Sequence, residues 1–259
     1  MSPAHALVVA GAGLVAGAVN AVAGGGTLVT FPALLAVGNS ALVANITSSV
    51  GLITGYLGGS IAYREELAGQ RHRVRALGVV SVLGGAVGAV VLLVTPTSAF
   101  RGIVPFLILA SCLLLLAQPR LAAAVARRRD AAEEPEEASD SDVGWPLRLL
   151  VFLGAVYGSY FGAGLGVVLL GVFGILLADN LQRLNALKGL LSLVINVVGV
   201  AIFLLSARVA WADAGILAVT AYAGGLLGVR LARRLKPAVL RYGVVVLGVA
   251  VATKLLISS

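Results

Sequence analysis

The chain has 259 residues, 59% of them hydrophobic and 12% charged, with a mean hydropathy of +1.03. That composition excludes a water-soluble globular domain and a disordered chain. The net charge of +8 does not argue for nucleic acid, because the basic residues sit mostly in polar stretches between apolar runs, as in cytoplasmic loops.

Apolar runs long enough to cross a bilayer, or nearly so, occupy 7–23, 42–62, 76–94, 103–117, 147–161, 190–205, 214–229 and 239–256. The alternating ten-residue segments of a membrane β-barrel are missing. The expected class is therefore an all-α, polytopic membrane protein. The first run has no Lys or Arg ahead of it, so it reads as a retained span, not a cleaved leader, although Ala21-Val22-Ala23 imitates a cleavage site.

The stretch 17–51 is unusual for a plain span. It holds Asn20, Gly24-Gly25-Gly26, Thr27, Thr30, Pro32, and then Asn45, Thr47 and Ser48. Three consecutive glycines break a helix and leave backbone amides free. Within a bilayer such backbone is tolerated where it is buried in protein or lines a cavity. The segment after the break, 27–38, is about 18 Å long as helix against a core of about 30 Å. The first helix and this short one therefore read as a re-entrant hairpin that returns to its starting side.

Seven of the eleven acidic residues fall in 119–144, which also contains prolines. This stretch reads as a disordered cytoplasmic linker between a first membrane unit, 1–118, and a second, 145–259. The two units are related. An offset of 140 places Asn45 on Asn185, Ser48 on Lys188, Gly84-Gly85 on Gly224-Gly225 and Gly88 on Gly228. An offset of 138 places Gly24-Gly25-Gly26 on Gly162-Ala163-Gly164. Equivalent loops carry opposite charge bias. Arg64, Arg71, Arg73 and Arg75 face only Arg208 beside Asp213, while Arg101 alone faces Arg230, Arg233, Arg234, Lys236 and Arg241. Positive loops stay in the cytoplasm, so the repeats are expected to be inverted, each a broken hairpin plus three spans, with both termini outside.

No nucleotide loop, zinc pattern or nucleophile elbow occurs, and no span carries paired carboxylates, so no catalytic residue, metal or cofactor is expected. Cys112 is the single cysteine. The polar residues suit an anion instead. The expected binding set is Asn20, Gly24, Gly25, Gly26, Thr27, Asn45, Thr47 and Ser48 from the first unit. Gly162, Gly164, Asn185, Lys188 and Asn196 join them from the second. Broken helices aim N–H groups at oxyanion oxygens. Two readings stand for most of these residues: Asn45, Thr47, Ser48 and Asn185 also suit helix caps, and Asn20 and Asn196 also suit interhelical bonds. Lys188 is either the charge partner of an anion or a side chain that snorkels to the interface.

Taken together, Asn20 with Gly24-Gly25-Gly26, the run Phe31-Pro32-Ala33-Leu34-Leu35, Ala44-Asn45-Ile46-Thr47-Ser48, and the second copy around Asn185-Ala186-Leu187-Lys188 and Asn196 resemble the sulfite exporter TauE/SafE family of permeases. The second break departs from the pattern with Gly-Ala-Gly. The resemblance implies a secondary transporter of a small sulfur-containing anion in the bacterial plasma membrane. The alternative is a channel-like conduit or a membrane subunit that carries no substrate. The expected partners are that anion and the lipid bilayer, and a homo-oligomer is compatible with the pattern; nucleic acid is not.

Overall fold

The computed structural model describes residues 2–22, 24–131, 143–177, 179–206, 208–232 and 237–257. All regular structure among them is helical. In chain order the helices are α1 (Pro3–Val22), α2 (Thr27–Ala36), α3 (Ala41–Ala62), α4 (Arg71–Val94) and α5 (Thr97–Ala131), then α6 (Trp145–Tyr160), α7 (Leu165–Leu176), α8 (Leu181–Ser206), α9 (Trp211–Ala232) and α10 (Pro237–Ile257). Five of the described helices, α1, α3, α4, α5 and α8, are long and apolar enough to cross a membrane. The protein is a polytopic helical membrane protein. α5 continues to Ala131, so 119–131 of the acidic stretch extends a membrane helix; 132–142 lie outside the described residues.

Polar contacts at the helix ends fix the course of the chain. His5, near the start of α1, and Asn39, just past α2, contact the same carboxylate, that of Asp213, at 2.6 and 2.9 Å. α1 and α2 therefore leave from and return to one end of the molecule, called here the first end. The glycine break is the bend between them, and α2, at 10 residues, is too short to cross. α3 then runs to the second end. There Gln70 donates to the Arg183 carbonyl at 3.1 Å, and the Arg73 guanidinium meets the Asp179 carboxylate at 2.5 Å. α8 starts beside these residues and runs about 39 Å over its 26 residues to reach the loop before Asp213. α3 and α8 are thus antiparallel.

Packing is reciprocal between the two units. α1 lies against α9 and α6 against α4; α5 and α10 pack on each other, as do α3 and α8. Glycines make the closest crossings, as small residues do in lipid. A Cβ on Gly84 of α4 would lie 2.6 Å from the Phe152 carbonyl oxygen, and one on Gly224 of α9 would lie closer still to the Leu14 carbonyl oxygen. Side chains on the outer faces, such as Val79, Phe106, Leu153 and Val219, are apolar and exposed, as lipid-facing residues are.

Candidate functional site

The two glycine breaks meet in the middle of the bundle. Gly24, Gly162 and Gly164 have φ of +74°, +77° and +80°, a left-handed backbone that side-chain-bearing residues resist. A Cβ on Gly24 would come within 2.5 Å of the Gly166 Cα, and one on Gly162 would lie 3.6 Å from the Thr27 hydroxyl. Gly24 and Thr27 of one unit thus face Gly166 and Gly162 of the other, across some 140 residues of chain.

The breaks are finished differently. The Gly26 N–H donates to Asn20 Oδ1 at 2.7 Å, which leaves the Asn20 Nδ2 buried and unpaired. In the second unit Gly164 takes the place of Gly26 and Gly158 the place of Asn20, so no side chain is available to cap it. Among the described residues, the N–H groups of Gly25, Ala163 and Gly164 have no hydrogen-bond acceptor. The second break is held instead through a carbonyl: Ala163 O accepts from Ser111 Oγ at 2.9 Å and from the Tyr157 hydroxyl at 2.5 Å.

Lys188 lies two helical turns into α8, is 2% exposed, and donates to Asn185 Oδ1 at 2.9 Å. Its side chain does not reach the surface, so it does not snorkel. Among the described residues it has no carboxylate partner. Asn185 borders a narrow cleft shared with Asn20, Ala21, Tyr56, Tyr63 and Gly189, of about 10 Å³, roughly the space for one water. Tyr56 stands beside the side chains of Asn20 and Asn196 and joins the two central helices. An unpaired amide donor and a phenol therefore line this cleft at the end of α1, and Asn185, which also lines it, accepts from the Lys188 ammonium behind it.

Asparagine positions exchange between units. Asn185 of the second unit borders the first break, whereas Asn45 of the first unit donates to the Tyr160 carbonyl at the second break, at 2.9 Å, and keeps a buried, unpaired Oδ1. Neither is a cap, since each is the fifth residue of its helix; Asn180 is the residue whose side chain accepts the first free N–H groups of α8, from Gln182 and Arg183. Ser48 forms a very short bond with Thr30, which also reaches back to the Gly26 carbonyl at 3.4 Å. Thr47 is not with the others: its hydroxyl oxygen accepts the Ala210 N–H at 3.0 Å and fastens the loop before α9. Tyr56, Ser111 and Tyr157 were not among the residues expected from sequence. Tyr56 could have been found, because the 140-residue offset places it on Asn196.

In the sequence comparison, the sulfite exporter TauE/SafE family signature matches residues 9–255. The chain belongs to the sulfite exporter TauE/SafE family. Curated relatives are similar over nearly their whole length. A "Probable membrane transporter protein" of Haemophilus influenzae is 27% identical over 94% of this chain and 91% of its own. The "Probable membrane transporter protein YfcA" of Escherichia coli K12 is 27% identical over 95% and 87%, and the "Probable membrane transporter protein ORF9" of a Sinorhizobium species is 24% identical over 95% and 90%. This TauE/SafE chain is accordingly a membrane transporter homologue whose central cleft is lined from both units.

Proposed function

We propose that the protein is a secondary transporter that moves a small sulfur-containing anion, such as sulfite or a sulfonate, across the bacterial plasma membrane. The observation that carries this reading is Lys188, a buried ammonium that among the described residues has one neutral partner and no carboxylate. A charge so placed is costly unless an opposite charge joins it. Asn20 Nδ2 and the free N–H groups of Gly25, Ala163 and Gly164 supply neutral donors of the kind that hold oxyanion oxygens. Movement would follow from rocking of two inverted repeats about the shared breaks. The antiparallel course of α3 and α8, and the return of α1–α2 to one end, support that reading. The test is flux in proteoliposomes against sulfite, sulfate, thiosulfate, sulfonates and carboxylates. Saturable movement of sulfur oxyanions is expected. Preference for carboxylates would change the substrate class, and flux that fails to saturate would favour a channel.

A further inference from the structure

The two ends of the molecule are closed by contacts that occupy equivalent positions yet differ in chemistry. The 140-residue offset that aligns Asn45 with Asn185 also aligns Arg73 with Asp213 and Asn39 with Asp179. At the second end Arg73 of the first unit binds Asp179 of the second at 2.5 Å, and Arg183 adds a contact to the same carboxylate at 3.0 Å. At the first end Asp213 of the second unit binds Asn39 of the first at 2.9 Å, and His5, also of the first unit, at 2.6 Å. Each cluster ties one unit to the other, so each must part if the units are to rock. At the second end the partners are arginines, which keep their charge at any physiological pH. At the first end the partner is a histidine, the kind of side chain whose charge ordinarily changes between pH 5 and 8.

We infer that His5 with Asp213 is a proton-binding latch: a proton on His5 holds the first end shut, and its loss lets that end open. The sign follows from the charges. With His5 protonated, buried Asp213 has a cation and an amide donor. With His5 neutral the carboxylate keeps two neutral donors but loses its counter-charge, and with it the attraction between opposite charges in a partly buried site. Among the described residues, the elements packed on Asp213 offer no competing charged group: α1 carries His5 alone, and α2, α3 and the loop between them carry no charged residue. The other charged side chains at this end, Arg101, Arg208 and Lys254, are all exposed. The inference rests on the rocking motion of the proposed function and names a proton as the ion that biases it.

The test needs no substrate. In a Cys112→Ser background, Val209→Cys places a thiol in the half-buried loop ahead of α9. Its maleimide labelling rate is measured in detergent-solubilised protein and divided, at each pH, by the rate for the same protein unfolded. The normalised rate should rise about five- to tenfold from pH 5.5 to pH 8, the loss of one partly exposed ion pair expressed as a population. His5→Gln should give the high rate at every pH, and His5→Lys the low rate at every pH. Should either fail to fold, Asn39→Ala should raise the rate throughout and keep the slope. A flat profile in the parent protein, or an unchanged slope in His5→Gln, would overturn the latch. Pairing the assay with anion flux separates the two readings. A pH-dependent rate without flux sinks the transport proposal and keeps the latch, while flux with a flat rate does the reverse.

Discussion

Replacing Lys188 tests the site most directly. In Lys188→Met the side chain keeps nearly its length and loses its charge. The ammonium is 2% exposed and its one bond is to Asn185 Oδ1 at 2.9 Å, so in the empty protein it is a desolvated charge without a counter-charge. Removing it relieves that desolvation but leaves Asn185 Oδ1 unpaired, a cost of about 1–3 kcal/mol. The two effects oppose each other, and the thermal midpoint of the empty protein should change little or rise. Binding should behave otherwise. Losing one partner of a desolvated charge contact costs about 2–5 kcal/mol, which is roughly 30- to several-thousand-fold in affinity. Lys188→Arg should recover only part, because a planar guanidinium does not replace a compact ammonium at a narrow cleft. The assay is equilibrium binding to purified protein together with proteoliposome flux, with the melting temperature of each variant recorded alongside. Anion affinity within threefold of the parent in a folded Lys188→Met protein would refute the assignment and move the positive contribution to the free backbone amides.

The meeting of the two breaks predicts that Gly24→Ala costs about 2 kcal/mol or more, from left-handed strain and collision with Gly166, whereas Gly78→Ala, with open space around it, should be neutral or stabilising. Melting curves in detergent check the pair, and equal midpoints would refute the close approach. Asp179→Asn should destabilise by about 1.5–3 kcal/mol by removing the counter-charge that the Arg73 guanidinium, 1% exposed, meets at 2.5 Å. The double change Arg73→Met with Asp179→Leu should recover part of that loss in the same assay, the rest reflecting Arg183. Reporter fusions in the Arg71 loop and after Ala232 should lie on one side of the membrane, with a fusion at Arg208 on the other. Finding the first two on opposite sides would exclude inverted repeats.

Local chemistry along the chain determined a good deal without tertiary information. Hydropathy marked the spans, because a helix in lipid must be apolar along about 20 residues whatever it packs against. The glycine triplet and Gly162-Ala163-Gly164 marked the breaks, because left-handed backbone is a property of the residue itself. α5 runs through Pro119 to Ala131, where Leu121, the alanines and the arginines after it are good helix formers. What the tertiary structure alone decided is which side chains face one another. That Asn45 serves the second break and Asn185 the first, that Thr47 is spent on the Ala210 amide, and that Lys188 is buried with no carboxylate beside it all follow from the antiparallel crossing of α3 and α8. One carboxylate, Asp213, gathers both ends of the first hairpin for the same reason. Spans and breaks arise from interactions within a few residues, whereas partners more than 100 residues apart are chosen by helix packing, which no local pattern encodes.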